Sequence, residues 1–294
     1  MMASARFIDV GVLDPQQFHA TYTGIAEVLG RDDPPVVMWG NSTPHISLGQ
    51  SQDRNAELVA ELEVPVVTRP LGGGAVWIDE SQYCYVLIVP LERAPARPAD
   101  WFGWGLEPAL ATYRHFGLPV ERREQDLWLE GRKIAGSGAA TIARCAVFAS
   151  SFLLRFPAAR FARCIASPLQ AGAGRPAAAF QACLLAALRQ AMTDWESHRA
   201  VPRGDELRRA FRSAVENAFS WRLTASVLKP AERQAREEAL VELADVGVSS
   251  GLRLVADGVK LNAVTILTET CAQGRIERVL TVGGAAVWRE SAAT

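Results

Sequence analysis

Lysine is nearly missing from this chain. Of its 31 basic residues only Lys133, Lys229 and Lys260 are lysines, and the others are arginine. Arginine is a wide planar fork and an ammonium a compact point charge, so each lysine raises the question of what arginine could not do there. Cysteine is sparse as well: Cys84, Cys145, Cys164, Cys183 and Cys271 are odd in number, widely spaced and without a CxxC pair. This excludes a disulfide framework and a structural zinc, and points to a reduced, cytoplasmic chain. His19, His45, His115 and His198 show no metal-ligand spacing. No run approaches the roughly 18 apolar residues of a membrane span. The start, MMASARFIDVGVLDPQQ, lacks the features of a secretory signal. With a formal net charge of −1, neither nucleic acid nor an anionic membrane is a default partner. Repeats and low-complexity tracts are absent.

What is present is a chain of 294 residues, 49% hydrophobic, long enough for one large domain and a small one. DPQQFHATYTGIAEVLG (14–30) reads as a helix capped by Asp14, with Pro15 at its first position and Gly30 as its stop. VVMWG (36–40) and HISLGQ (45–50) read as strands joined by NSTP, followed by a helix over 52–62 and a strand over 64–69. AVWID and CYVLIVP are strands, and a helix covers about 101–116. LPVERR, DLWLE, RKIAGSGAATI and AVFASSFLLRF are further strands, with Gly131 turning between the second and third. After Pro157 come three Arg- and Ala-rich helical patterns, whose interleaved acids mark them as solvated faces. From about 245 short strands return (LRLVADG, KLNAVTILTE, RIERVLTVGGAAV), with a hairpin signal at Asp257-Gly258. The pattern predicts an α+β fold, a mixed or antiparallel sheet flanked by helices over 1–244, and a small β-rich unit over 245–294.

Two stretches carry chemistry. In TRPLGGGAVWID, Gly72, Gly73 and Gly74 follow Arg69 and interrupt sheet-like sequence. Such glycines serve either a turn or bulge, or a place where backbone approaches a ligand closely. In EQDLWLEGRKIAGSG, Lys133 follows a glycine turn and precedes Gly136-Ser137-Gly138, with Asp126 on the other arm of the expected hairpin. An arginine, a lysine and a run of glycine amides describe an anion-binding wall suited to phosphate or an acyl-phosphate anhydride.

In this order, VVTRPLGGGAVWID and then DLWLEGRKIAGSG, the chain resembles the lipoate–protein ligase family over roughly residues 10–165, with the last segment similar to its accessory domain. The resemblance implies the biotin/lipoate ligase-like fold and ATP-dependent conversion of lipoate or octanoate to acyl-AMP. The acyl group would then pass to a lysine of a lipoyl carrier domain, E2-like or like the glycine-cleavage H protein. It further implies a monomer using ATP and Mg²⁺, with Lys133 on the carboxylate and phosphate oxygens. Asp126 would orient that lysine or help to hold Mg²⁺. Arg69, Leu71, Gly72, Gly73, Gly74, Ala75 and Val76 would line the acyl and nucleotide channel, together with Asp79, Gln82, Gln125, Gly136, Ser137, Gly138 and Ser151. Strands 36–40 and 85–89 would wall an apolar tunnel for the acyl chain.

The sequence departs from the family pattern at Thr68 (for arginine), Ile78 (histidine), Gln125 (asparagine), Gly138 (alanine) and Ala149-Ser150-Ser151 (His-Gly-Thr). An alternative is an acyltransferase of the same superfamily that takes octanoate from a carrier thioester without ATP. It would use a cysteine nucleophile, for which Cys164 is the candidate. A biotin ligase and a catalytically silent carrier-binding module are the remaining alternatives.

Overall fold

A computed structural model of the chain describes residues 3–170, 178–244 and 252–293. In chain order, β1 (Ala3–Leu13), α1 (Pro15–Val28), β2 (Val36–Ser42), β3 (His45–Gly49), α2 (Arg54–Glu57) and β4 (Val66–Arg69) open the fold. Then come β5 (Val76–Ile78), β6 (Gln82–Pro90), α3 (Asp100–His115), β7 (Glu121–Arg123), β8 (Asp126–Leu129) and β9 (Arg132–Ala135). β10 (Ser137–Ile142), β11 (Cys145–Leu153), α4 (Ala158–Cys164), α5 (Ala178–Ala191), α6 (Gly204–Phe219), β12 (Trp221–Ser226) and α7 (Pro230–Ala244) follow. β13 (Gly258–Lys260), β14 (Thr265–Ala272), β15 (Arg275–Val282) and β16 (Ala285–Ala293) close the chain.

The main sheet runs β10-β11-β6-β2-β1-β12, antiparallel except where β1 lies parallel to both neighbours. Residues 36–39 of β2 and 84–89 of β6 are apolar at successive positions because both faces are covered. Val37, Trp39, Tyr85 and Leu87 pack with Leu106 of α3 and Phe211 of α6. The alternating Val36, Met38, Val86 and Ile88 pack with Phe18, Tyr22 and Ile25 of α1. Each such side chain contributes on the order of 2 kcal/mol through burial. Strands 36–40 and 85–89, expected to wall a tunnel, thus form packed core on both faces.

Two smaller sheets, β4-β3-β5 and β7-β8-β9, sit beside this core, and the last four strands form the antiparallel sheet β13-β14-β15-β16. The inner face of that last sheet contributes Val259, Leu261, Leu267 and Leu280 to a cluster with Ile46, Trp77 and the α5 residues Phe180, Leu184 and Leu188. The C-terminal strands therefore share a core with the elements that carry the glycine stretch. The expected boundary at 245 falls outside the described residues.

Several expectations change. The helix over 52–62 is only the single turn of α2, capped by Asp53. Beyond it the backbone turns to β-bridge Leu58 with Ile165, and the Val59 N–H donates to Cys164 O. The strand over 132–142 breaks at Gly136 into β9 and β10, which belong to different sheets. LRLVADG supplies one isolated bridge, Val255 to Gly258, rather than a strand. KLNAVTILTE divides into β13 and β14 around a turn. β1, α4 and β12 are additions that the sequence pattern did not predict. α1 matches its reading, with Asp14 accepting from the Gln17 N–H.

Candidate active site

Glu130 and Gly131, both at positive φ, turn β8 into β9 as a two-residue hairpin loop requires. With Trp128 opposite Lys133, the hairpin brings Lys133 Nζ to 3.0 Å from Asp126 Oδ1, their side chains 18% and 7% exposed. The other carboxylate oxygen, Asp126 Oδ2, accepts the Ala263 N–H at 3.0 Å, so the C-terminal segment reaches the lysine's own partner. Asn262 shapes that contact: its Oδ1 accepts the N–H groups of Val264 (3.1 Å) and Thr265 (2.8 Å), and its Nδ2 donates to Ala191 O (3.1 Å). Just beyond α5, the Thr193 N–H donates to Lys133 O at 2.8 Å. Asn262 thus ties together two separate routes to Lys133, one through its side chain and one through its backbone.

Gly136 is where the chain leaves one sheet for the other. A Cβ there would lie 2.7 Å from Lys133 Nζ, so the missing side chain is the space the ammonium uses. Ser150 Oγ donates to Gly136 O at 2.7 Å and Ser137 Oγ to Gln125 O at 2.5 Å, fixing the corner on both sides. Two residues on, a Cβ at Gly138 would stand 3.1 Å from Gly72 O and 3.7 Å from Leu71 Cβ. The glycine stretch therefore lies against the start of β10, and the two motifs, about fifty residues apart in sequence, form one site.

Arg69 lies beneath that stretch, buried. Its guanidinium donates to Ser47 O (2.7 Å), Ser47 Oγ (3.3 Å), Gly72 O (2.8 Å) and Gly74 O (2.8 Å). Burial pushes it down to about 10, which leaves it cationic at neutral pH. Because C=O and N–H point opposite ways across a trans peptide, carbonyls 72 and 74 drawn onto Arg69 turn the N–H groups of Gly73 and Ala75 away from it. Among the described residues none accepts from the N–H groups of Gly72, Gly73, Gly74 or Ala75. A cation below and free donors above make an anion-binding floor. Gly49 permits it: a Cβ there would sit 2.0 Å from Gly73 O.

The remaining expected residues have definite places. Asp79 accepts from Trp77 Nε1 (2.7 Å) and the Ser81 N–H (2.8 Å). Gln82 donates to Trp77 O (2.6 Å) and accepts from Ser151 Oγ (2.9 Å). These three hold the turn between β5 and β6, while Val76 is open to solvent. Each oxygen of Asp126 has one partner, Lys133 Nζ on Oδ1 and the Ala263 N–H on Oδ2. Among the described residues no group of three His, Cys, Asp or Glu could hold a metal ion. A Mg²⁺ ion here would therefore be carried by substrate phosphates, with Asp126 as the carboxylate beside Lys133 that could share it.

Behind the floor lies a polar chain absent from the sequence reading. His45 Nδ1 donates to Thr43 O (2.9 Å), leaving Nε2 to accept from His19 Nε2 (3.2 Å), whose Nδ1 accepts from the Tyr22 hydroxyl (3.1 Å). All three are buried. Burial brings His45 down to about 4 and holds His19 well below the usual imidazole range. Both histidines are neutral, satisfied core groups. Gly49, Ser47, Asn262 and Ala263 were also missed; only Gly49, a glycine ending a strand, left a trace in the sequence.

Cys164 packs in the cluster around Ile46 and Phe180. Its thiol donates to Arg160 O of its own helix at 3.3 Å, and burial pushes it up to about 11. Burial likewise raises Cys84 to about 12 and Cys145 to about 11. Thiols held this way are protonated at neutral pH and poor nucleophiles.

A mixed sheet between helices, with a lysine and a glycine floor at one edge and an antiparallel sheet docked over them, defines the lipoate ligase fold. The Lipoyl protein ligase A/B catalytic domain family matches residues 16–199, and the chain belongs to it. Among solved structures it is similar to a bi-partite lipoate protein ligase from Thermoplasma acidophilum, described with its E2 lipoyl domain. There the TM-score is 0.73 and the identity 15%, over 85% of this chain and 97% of that one. A lipoate-protein ligase A bound with ATP has a TM-score of 0.65 at 14% identity, over 81% of this chain and 95% of that one. P. falciparum LipL1 in complex with lipoate has a TM-score of 0.64 at 11% identity, over 94% of this chain and 80% of that one. No curated protein matches the chain by sequence. Among the described residues no helix is long and apolar enough to cross a membrane.

Proposed function

We propose that the protein is an ATP-dependent lipoate–protein ligase. A carboxylate oxygen of lipoate or octanoate attacks the α-phosphorus of ATP, forming acyl-AMP and releasing pyrophosphate. The amine of a carrier-domain lysine then attacks the acyl carbon, forming an amide and releasing AMP; the amine's proton leaves to solvent. Both steps build negative charge on oxygen, which preorganised donors stabilise most effectively. Lys133 supplies the fixed charge for those oxygens, and the amides of residues 72–75 supply donors. Asp126 holds the ammonium in place. In this reading residues 1–244 form the catalytic unit and 245–294 an accessory unit, working on a cytoplasmic carrier as a monomer.

The carrying observation is that Lys133 and the unpaired loop amides share one site beneath Ala263. The buried, unactivated Cys164 favours this reading over a thioester-using transferase. The test is lipoate-dependent exchange of pyrophosphate into ATP, followed by modification of an apo lipoyl domain. Lys133→Ala should lose exchange by at least a hundredfold, while Cys164→Ala stays within twofold of the parent. Modification from an octanoyl thioester without ATP, abolished by Cys164→Ala, would overturn it.

A further inference from the structure

A second feature adjoins Lys133 and plays no part in the reaction described above. On the rim of β9 opens a groove of about 410 Å³ whose lining includes Arg132, Phe156, Arg160, Arg189, Met192 and Asp194. Three arginines from three elements line it: Arg132 from β9, Arg160 from α4 and Arg189 from α5. Among the described residues none of the three has a carboxylate partner. Arg160 instead lies over the Trp77 ring at 4.7 Å. The one acid among the lining residues, Asp194, is held by neutral donors and offsets one of the three positive charges. Asp194 Oδ2 accepts the Phe156 N–H (2.7 Å), and Oδ1 accepts the Ser197 N–H (3.0 Å) and hydroxyl (2.6 Å). At the edge, Glu196 pairs with Arg155 at 2.7 Å.

The chain as a whole carries a formal charge of −1, so this surplus of positive charge is local. Its position is specific too. Arg132 precedes Lys133, Met192 forms a β-bridge with Lys133, and the next residue's N–H donates to Lys133 O. Successive side chains leave opposite faces of a strand, so Arg132 points into the groove on the side of β9 away from the Lys133 ammonium. A cationic patch on the strand next to a reaction site can draw in an anionic partner and orient it.

We propose that this groove docks an acidic face of the acyl acceptor, carboxylates flanking its target lysine and meeting Arg132, Arg160 and Arg189. Guanidiniums spread over three elements suit the scattered charges of a protein surface better than the compact charge of one phosphate. The inference rests on the proposed ligase reaction and assigns its acceptor site.

The experiment uses the full chain with Arg160→Glu and Arg189→Glu, both at exposed positions, and an apo E2 lipoyl domain as acceptor. Pyrophosphate exchange with lipoate reports the first step alone. Transfer reports the acceptor. For each variant, exchange should stay within twofold of the parent, while the KM for the lipoyl domain rises about tenfold at low salt. The gap should close towards 0.5 M salt as screening removes the attraction. Neutralising acidic residues beside the domain's target lysine should raise KM for the parent and leave the variants little changed. An unchanged KM in both variants, or exchange falling in parallel with transfer, overturns the groove proposal. Absence of exchange in the parent chain overturns the ligase reading instead.

Discussion

Gly136→Ala separates the position of the lysine charge from the stability of the fold. Its new Cβ would stand 2.7 Å from Lys133 Nζ and 2.9 Å from Cε. Ordinary contact needs about 3.5 Å or more, so the ammonium must retreat by roughly 1 Å. The atoms in the way end a flexible side chain, which can move. The global cost is therefore a stretched rather than a broken pair with Asp126, on the order of 1 kcal/mol against the roughly 3–5 kcal/mol of removing one partner of so buried a pair, partly offset by the stiffer unfolded chain that alanine gives. Catalysis should suffer far more, since a misplacement of about 1 Å can cost a hundredfold. The expected result is a melting temperature within a few degrees of the parent and pyrophosphate exchange down about a hundredfold. Gly49→Ala is the contrast. Its Cβ would meet the Gly73 carbonyl oxygen at 2.0 Å, and no side-chain rotation relieves a clash with backbone. The loop would have to leave Arg69, breaking two charge-assisted hydrogen bonds worth about 1.5–3 kcal/mol each. That variant should lose both stability and exchange. Near-parental exchange in Gly136→Ala would refute the assignment of Lys133 as a charge whose exact place matters.

Two further outcomes follow from the buried groups. His19 and His45 are neutral when folded, and His45 lies at about 4 against about 6.5 in an unfolded chain. Between those values the unfolded chain binds the extra proton, so His45 stability is full above about pH 6.5 and falls by about 3 kcal/mol towards pH 4. Urea midpoints at pH 7 and 4.5 should show this loss, and His45→Gln should flatten it; equal slopes would exclude His45 as its source. Asn262→Ala frees the turn that presents the Ala263 N–H to Asp126. The exchange rate should fall about tenfold, because Asp126 loses the fixed backbone donor that helps hold it beside Lys133. An exchange rate within twofold of the parent, with a lowered melting temperature, would mean that Asn262 only supports the fold.

The legible parts of the fold were those set by local rules. Asp14-Pro15 announces α1, and the Glu130-Gly131 turn forces the hairpin that pairs Asp126 with Lys133. What escaped depends on partners far away in sequence. β12 pairs in parallel with β1, Ala3 opposite Trp221, and nothing in WRLTAS specifies a partner more than 200 residues distant. Residues 58–62 have helical composition, yet Leu58 and Val59 pair with Ile165 and Cys164 at the C-terminal end of α4, so tertiary pairing overrides propensity. In the site, the glycines and Lys133 were visible as residue types, but Arg69's role was not. Its place before the glycines suggests a ligand contact, whereas its four hydrogen bonds go to the protein itself.

That placement accounts for the choice between arginine and lysine in a chain that otherwise prefers arginine. Beneath the loop the need is for a wide fork that reaches several carbonyls at once. Arg69 spans Ser47, Gly72 and Gly74, and holding those carbonyls inward turns amides 73 and 75 outward. Beside Asp126 the need is reversed. The space is the one left by the missing Gly136 side chain, bounded by a carboxylate whose second oxygen is held by Ala263. A guanidinium is broader and would pair with both carboxylate oxygens, competing with the Ala263 N–H that ties in the C-terminal segment. A compact ammonium takes one oxygen and leaves its other donors free. The scarce residue stands where its shape keeps the carboxylate contact and leaves donors for the substrate oxygens of the proposed reaction.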